Sequence, residues 1–387
     1  MSDRPSVIQP NTVGIMPAGA LGVAQFYWLT DQAKDFSGRV FFMERKDSRS
    51  AAQVRDEGKL YLRENEIDRG IDLDRIWRPD LARCLKEGKL PEVILIATNP
   101  DQLLPVIREI VEFIEALYED DRLFVDHPDM PKMVLCSNGI YFQRIRAVFI
   151  ETLEESILYG RLPDLWPETM PKIIGRLLRG VTIQSSIRIG GGSKAVYRPG
   201  PPGLTQLAGT ADAHRLRAFE ILREGQAPYE ECGFDTPTHV EFKKALINLI
   251  GNFLGMIYCI DDEGTFEALR MRDIYREENL FEIRTLIFSV VEIGKAVKAF
   301  QRDLDPEDVF EQINKKTLAY LDHKSSSVQL LEHLVKSGKP PREITPTEYW
   351  LLNPLQQYAR AGGLTEALAF LNSLEQRLLE KFSKLPG

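Results

Sequence analysis

A strand, a glycine turn and a helix start follow one another near the N-terminus, and this order constrains the fold more than any other feature. Residues 13–22 read VGIMPAGALG and lead directly into the apolar stretch VAQFYWL. In such an arrangement the pyrophosphate of a dinucleotide rests on the N-terminus of the helix. The usual pattern is G-x-G-x-x-G, whereas this chain has Pro17 in place of the first glycine. The sequence predicts that Gly19 allows close approach of the backbone and Gly22 allows close helix–strand contact.

A second strand is predicted at residues 39–45 (RVFFMER), about where the second strand of a dinucleotide-binding domain ends. It carries Glu44, the acid expected to accept hydrogen bonds from the ribose hydroxyl groups. Arg45 follows directly, and a cation at this point suits the extra phosphate of NADP better than plain NAD. The sequence therefore predicts NADPH or NADP as the cofactor.

Two further strands are predicted at residues 93–98 and 132–136. Both are almost entirely apolar, as parallel strands covered on both faces are. Each is followed by a polar turn that contains an asparagine, Asn99 after the first strand and Asn138 after the second. Ligands of open α/β sheets bind at this edge, so both asparagines are candidate binding residues.

The pattern of the chain changes near residue 236. Residues 10–150 alternate short strands with helical stretches, which is typical of a mostly parallel sheet. Residues 150–180 predict a proline-broken helical insertion, and strands expected between residues 181 and 208 extend the sheet. From residue 236 onward only helical periodicity is present. We predict a Rossmann-type α/β domain over residues 1–235, followed by an all-α domain over residues 236–387.

The predicted helical domain begins with an apolar helix that carries a polar stripe. Lys244, Asn248 and Asn252 lie four residues apart, so they stack on one helical face with a drift of roughly 40° per step. A buried helix should not carry an ammonium and two amides unless these groups have partners. The stripe therefore faces either solvent or a wet, polar cleft. Lys244, unlike Lys243, is in phase with both asparagines.

Composition and charge argue against several classes of protein. The net charge is −8, without a long basic stripe, so a general nucleic-acid binder is not expected. No apolar run reaches the ~18–20 residues of a membrane helix, and residues 1–12 lack a secretory apolar region. The cysteines and histidines are scattered, which argues against a metal site and is typical of reduced thiols. We expect a cytoplasmic protein that binds neither metals nor membranes.

These segments, in this order, resemble the ketopantoate reductase (2-dehydropantoate 2-reductase) family over most of the chain. The resemblance implies a Rossmann domain, a helical domain related to that of 6-phosphogluconate dehydrogenase, and reduction of a 2-oxo acid by NADPH in the cleft between them. Arg45 falls where the family's 2′-phosphate arginine stands. Asn138 matches the asparagine of an NG turn that lies near nicotinamide and substrate. The glycine turn of the family matches Gly19, Ala20, Leu21 and Gly22.

The most specific match is the spacing of the polar stripe. In the family the lysine is the general acid and the asparagines hold the substrate, which assigns these roles to Lys244, Asn248 and Asn252. An ammonium can stabilise a developing alkoxide and then protonate it. Amides can donate to a carboxylate or carbonyl without adding charge.

Two later segments complete the resemblance. Residues 325–329 (SSSVQ) are similar to the family's SSMxQ, and alignment on Gln329 puts the substrate-binding serine at Ser326. Thr347-Glu348 resembles the family's TE, whose glutamate is required for substrate binding and catalysis. We hypothesise that Lys244, Glu348 and the substrate carbonyl form one hydrogen-bonded set.

The chain also departs from the family pattern. Asn99, the candidate cofactor contact, stands where the family commonly has a lysine, and Leu330 replaces an aspartate. The stretch between Gln329 and Glu348 is longer than usual. Two alternatives therefore stand beside ketopantoate reduction: a related opine or hydroxy-acid dehydrogenase with another substrate, and a non-catalytic NADP-binding regulator. The helical domain could support a homodimer.

Overall fold

The computed structural model describes residues 6–31, 38–45, 48–122, 130–161, 166–189, 195–233 and 235–386. The chain forms two compact units. The α/β unit comprises Met1–Ser137 and Phe142–Pro237, and the helical unit comprises Asn138–Tyr141 and Thr238–Gly387. The main division between the units falls between Pro237 and Thr238. The sequence does not predict that the four residues Asn138–Tyr141 belong to the helical unit.

The α/β unit contains most of its described strands in one large sheet. Eight strands follow the order β12-β11-β8-β7-β6-β1-β2-β5. Neighbours are parallel, except β8 and β11. Because β1, β2, β6 and β7 are parallel, their carboxyl ends meet at one edge, where the predicted cofactor turns follow. The strands of the unit are β1 (Ile8–Met16), β2 (Val40–Met43), β3 (Lys59–Glu64), β4 (Ile67–Asp72), β5 (Trp77–Arg78), β6 (Leu90–Ile96), β7 (Lys132–Leu135), β8 (Leu177–Thr182), β9 (Ser186–Ile189), β10 (Val196–Pro199), β11 (Thr205–Ala208) and β12 (Tyr229–Glu231).

Helices alternate with these strands. Every residue of β2 and β6 is buried, as parallel strands covered on both faces require. Ser48 and Asp80 cap the helices that follow them by accepting hydrogen bonds from backbone N–H groups. The helices are α1 (Ala20–Leu29), α2 (Arg49–Glu57), α3 (Leu73–Ile76), α4 (Leu81–Lys86), α5 (Leu103–Glu119), α6 (Phe142–Glu155), α7 (Ile157–Arg161), α8 (Trp166–Ile174) and α9 (Asp212–Leu222), with a 3₁₀ turn at Pro100–Gln102.

A second sheet, in the order β4-β3-β10-β9, differs from the sequence prediction. The strands expected between residues 181 and 208 should all extend the large sheet, but β9 and β10 pair with each other and with β3 instead. Short alternating segments indicate strands without indicating their partners. The strand predicted to begin at residue 181 begins at Leu177, because a short apolar run buried on both faces has no periodicity that separates strand from helix.

The helical unit confirms the predicted helical periodicity. Its described residues form helices, with an isolated β-bridge between Ile260 and Phe266. The helix predicted to run past residue 254 changes at Leu249–Leu254 into a π-helical segment, here called the π segment. The helices are α10 (Pro237–Asn248), α11 (Gly255–Tyr258), α12 (Met271–Ile274), α13 (Glu277–Ala296), α14 (Pro306–Thr317), α15 (Ser326–Lys336), α16 (Pro346–Ala361) and α17 (Thr365–Lys384), with a 3₁₀ turn at Leu318–Tyr320.

Each unit has its own apolar core. In the α/β unit Phe26 of α1 packs on Phe42 of β2, with the ring centroids 4.7 Å apart. In the helical unit the core joins the π segment to α10, α13, α16 and α17. The predicted fold class, a Rossmann-type α/β domain followed by an all-α domain, is therefore confirmed. Within the described ranges, no helix has the length and apolar character needed to cross a membrane.

The amino ends of the central strands are joined through a buried carboxylate, Glu92 of β6. Its oxygens accept hydrogen bonds from the Asn11 N–H at 2.9 Å, from Lys132 Nζ at 3.0 Å, and from Arg217 Nε and Nη2 at 2.8 and 2.9 Å. Burial alone would raise the pKa of Glu92, but the bonds from Arg217, Asn11 and Lys132 outweigh it and lower the pKa to about 2.

This network predicts a pH-dependent contribution to stability. Because the pKa of Glu92 in the folded chain lies below its ordinary 4.5, the stabilisation is present above pH 4.5 and is lost as the pH falls toward 2. We expect Glu92→Gln to lower the free energy of unfolding at pH 7 by about 2 kcal/mol after solvent screening is allowed for. Urea denaturation at pH 7 and pH 3 measures both values. The exposed Glu112→Gln variant is the control, and an equal loss at both pH values would contradict the expectation.

Candidate active site

The glycine turn has the geometry of a phosphate-binding helix start. β1 ends at Met16, and α1 begins after Gly19 without a side chain that caps its N–H groups. The N–H of Gly19 donates to the carbonyl of Pro17 over 2.8 Å. A β-carbon on Gly22 would lie 2.2 Å from the same carbonyl oxygen, so a side chain there requires the backbone to move. The first N–H groups of α1, including those of Ala20 and Leu21, lack partners within the helix and can bind an anion.

Glu44 and Arg45, which follow β2, both form side-chain hydrogen bonds within the chain. Glu44 accepts hydrogen bonds from Arg55 Nη1 at 2.5 Å and from Trp77 Nε1 at 2.9 Å. Arg45 is 3% exposed and donates to Thr98 Oγ1 at 3.4 Å and to the Gln102 carbonyl at 3.2 Å. Its guanidinium thus joins the end of β2 to the turn after β6. A 2′-phosphate contact from Arg45 would come in addition to these bonds, so its role stays a prediction.

The turns after β6 and β7 present both predicted asparagines to solvent. Asn99 and Asn138 are exposed, whereas Ser137 beside Asn138 is buried. Arg179 of β8, 1% exposed, donates to the carbonyls of Leu135 at 2.6 Å and Ser137 at 2.8 Å. This buried guanidinium therefore fixes the chain up to the residue before Asn138.

The polar stripe runs from α10 into the π segment. Lys244 and Asn248 are half-buried, and Asn252 is 5% exposed, whereas Lys243 is exposed. Among the described residues the side chains of Asn248 and Asn252 have no hydrogen-bond partner. The amide atoms of these two residues are not among the fully buried atoms without a partner, so solvent or a ligand can reach them. Short π-helical segments of this kind occur frequently at functional sites.

Glu348 lies at the start of α16 in a buried pocket of hydroxyl groups. It is 1% exposed, and the hydroxyls of Ser327 and Thr345 donate to its two oxygens. Burial raises the pKa of the Glu348 carboxyl above its ordinary value, although the hydrogen bond from Ser327 opposes the rise. Burial and the Ser327 hydroxyl therefore act on the pKa of this carboxyl in opposite directions, and burial has the larger effect.

The serine run is arranged differently from the predicted register. Ser325 caps α15, its hydroxyl accepting from the Val328 N–H at 3.3 Å. The next residue, Ser326, is exposed, and Ser327 is the buried partner of Glu348. Ser326 remains a prediction as a substrate contact, whereas the contact with Glu348 belongs to Ser327.

The structure brings several of these groups onto neighbouring elements of the helical unit. Both α15 and α16 pack against the π segment, so the elements that carry Ser326, Glu348 and Asn252 adjoin one another. The hypothesis that Lys244 and Glu348 belong to one hydrogen-bonded set stays a prediction. Sequence reasoning missed Ser327 and Arg179. Arg179 is the one charged residue in the mainly apolar segment 177–182, and this pattern could have indicated a buried arginine with hydrogen-bond partners.

The raised pKa of Glu348 predicts the sign of a pH effect. A folded-state pKa above the unfolded value of 4.5 contributes stability that is complete below pH 4.5 and is lost as the pH rises through the folded pKa. We expect the stability of the wild type relative to Glu348→Gln, measured by chemical denaturation, to decline as the pH rises above 4.5. The exposed Glu343→Gln is the matched control. A difference that does not change with pH would contradict a raised pKa of Glu348.

Comparisons with known proteins find relatives by structure alone. No family model matches the sequence, and no curated protein matches it. A D-mandelate dehydrogenase solved with NADH and anilino(oxo)acetate is 15% identical, with 96% of this chain and 98% of that chain covered and a TM-score of 0.62.

Ketopantoate reductases are also among the structural neighbours. The enzyme from Ralstonia eutropha is 16% identical, with 96% of this chain and 99% of that chain covered and a TM-score of 0.58. A dimeric ketopantoate reductase from Staphylococcus aureus is 14% identical, with 95% and 99% covered and a TM-score of 0.55. At these identities the likeness is one of fold. Over nearly its whole length, the chain has the fold of the ketopantoate reductases that its motifs resemble.

Proposed function

We propose that the protein is an oxidoreductase that uses a nicotinamide dinucleotide to reduce a small 2-oxo acid to the 2-hydroxy acid. The observation that carries the proposal is the combination, in the helical unit, of the half-buried Lys244 with the amide of Asn252, which has no hydrogen-bond partner among the described residues and stays accessible to a ligand. The glycine turn supports the cofactor part, because Gly22 lets α1 start close against β1, and the first N–H groups of α1 have no side-chain cap and can bind a pyrophosphate.

The roles of the residues follow from their chemistry. When bound, the reduced nicotinamide supplies the hydride for the carbonyl carbon. Lys244 stabilises the developing alkoxide and donates a proton to its oxygen. Asn248, Asn252 and Ser326 hold the carboxylate or hydroxyl groups of the substrate. Glu348, held by the Ser327 hydroxyl, adds a buried carboxyl group that forms hydrogen bonds.

Two observations bear on the identity of the cofactor and the substrate: the family resemblance and the D-mandelate dehydrogenase neighbour. The resemblance favours NADPH, with contacts from Gly19–Gly22, Arg45 and Asn99, and ketopantoate as substrate. The D-mandelate dehydrogenase neighbour was solved with NADH, and the bonds that Arg45 already makes within the chain leave NADH a second candidate. The same neighbour favours a related hydroxy-acid dehydrogenase as the alternative function.

A panel of reactions tests the proposal. Oxidation of NADPH and of NADH is followed with ketopantoate, with an aromatic 2-oxo acid and with short aliphatic 2-oxo acids. We expect turnover of at least one acid. Dinucleotide binding without turnover of any acid would contradict the proposal and favour the non-catalytic regulator.

We also propose that the protein is a homodimer. Phe281 and Phe288 of α13 are 82% and 36% exposed, and their spacing of seven residues places them on one helical face. Light scattering of the purified chain gives its mass in solution, and a monomer at micromolar concentration would contradict this assembly.

A further inference from the structure

The turn that carries Asn138 is built into the helical unit. Ile140 is 2% exposed and belongs to the core of that unit. Gly139 has a φ of +124°, and a β-carbon there would lie 3.0 Å from Trp350 Cβ and 3.1 Å from the Trp350 carbonyl oxygen. The segment Asn138–Tyr141 thus lies directly on the backbone of α16.

Two hydrogen bonds donated by backbone N–H groups, one to a backbone carbonyl and one to a side chain, fix this segment to two helices. The Ile140 N–H donates to the Trp350 carbonyl at 3.0 Å, and the Tyr141 N–H donates to Glu241 Oε1 at 3.2 Å. Trp350 lies two residues after Glu348 in α16. Glu241 lies three residues before Lys244 in α10, which is nearly one helical turn. The segment is therefore held by the same two helices that carry the proposed catalytic lysine and glutamate.

Glu241 is a buried acidic residue in α10 that accepts the hydrogen bond from the Tyr141 N–H. Glu241 is only 2% exposed. Burying a carboxylate costs free energy unless the carboxylate has hydrogen-bond partners. The pKa of Tyr358 is raised by burial and further by the charge of Glu241. The Tyr141 N–H, at 3.2 Å, gives the buried carboxyl of Glu241 a hydrogen-bond donor on the Asn138–Tyr141 segment.

We infer that Glu241 is a positioning residue, which holds the Asn138 turn in register with Lys244 through the Tyr141 N–H. This inference rests on the proposed function, in which Asn138 contacts the nicotinamide and the substrate. A displacement of about 1 Å in such a group costs on the order of 10²-fold in rate. Glu241 acts on the reaction through Asn138 and touches neither substrate nor cofactor.

A double-mutant cycle separates positioning from general stability. We expect Glu241→Ala to lower kcat about 10–100-fold with an unchanged KM for the dinucleotide. Glu241→Gln, which keeps an acceptor oxygen, should restore most of kcat. Combined with Asn138→Ala, the effect of Glu241→Ala should largely disappear, because both changes act at one group. Additive effects, or equal losses in the alanine and glutamine variants, would overturn the inference.

Two further measurements keep the outcome clear. Phe242→Leu, a core change in the same turn of α10, should lower the melting temperature with kcat nearly unchanged, and a matching loss of kcat would overturn the inference. Hydrogen exchange at the Tyr141 amide needs no activity. If the wild type reduces no 2-oxo acid, the proposed function fails, and hydrogen exchange alone then tests whether Glu241 positions the segment. Faster exchange of the Tyr141 amide in Glu241→Ala supports the positioning contact. Unchanged exchange overturns it.

Discussion

Lys244→Ala is expected to lower kcat for reduction of the 2-oxo acid by about 10²–10⁴-fold, because the developing alkoxide loses its proton donor and its cation. The affinity for the dinucleotide should stay within about twofold, since in the proposed reaction Lys244 acts on the oxygen of the substrate and not on the dinucleotide. Steady-state kinetics with the best acid of the panel, together with fluorescence titration of the reduced dinucleotide, measures both effects.

Two variants make this result specific. Lys243→Ala removes the same charge from the neighbouring, exposed position and should leave kcat nearly unchanged. Lys244→Arg keeps the cation, but a guanidinium does not release its proton, so we expect it to restore little activity. Near-normal turnover in Lys244→Ala, or equal losses in Lys243→Ala and Lys244→Ala, would contradict the assignment of the proton donor.

The order of the elements was accessible from the sequence because it depends on local pattern. Apolar strands without alternation, such as residues 93–98, indicate a parallel sheet, and the glycine turn places its first helix. The start of the helical unit follows from the loss of strand pattern after residue 236. The spacing of Lys244, Asn248 and Asn252 could likewise be read directly, but the change from α-helix to π-helix at Leu249–Leu254, which alters the phase of Asn252, could not.

Contacts between distant segments were not accessible in the same way. The pairing of β10 with β3 joins residues more than a hundred positions apart, and nothing in either segment specifies the other. The choice of Ser327 over its neighbours depends on where α16 places Glu348. The Tyr141 N–H finds its acceptor in Glu241, one hundred residues later in the chain. A single sequence gives the residue types of such a site more readily than the tertiary bonds that hold them.

Gly22→Ala is expected to abolish most dinucleotide binding and to destabilise the α/β unit. The added β-carbon would lie 2.2 Å from the Pro17 carbonyl oxygen and 3.1 Å from Ile15 Cγ2, and both neighbours are buried. Overpacking of this kind costs about 1–3 kcal/mol. Because α1 must move away from the turn, its N-terminal N–H groups lose their position for a pyrophosphate, and we expect at least a tenfold weaker affinity.

The matched control uses a glycine whose β-carbon would meet open space. Gly160 of α7 has no atom within 4 Å of that position, so Gly160→Ala should leave both stability and dinucleotide affinity nearly unchanged or raise stability slightly. Urea denaturation and fluorescence titration with NADPH and NADH distinguish the two variants. If Gly22→Ala bound both dinucleotides as tightly as the wild type, the turn could not be the pyrophosphate site. Dinucleotide-dependent chemistry would then need another location in the α/β unit, and the proposed reduction would lose its structural basis even if Lys244 proved essential.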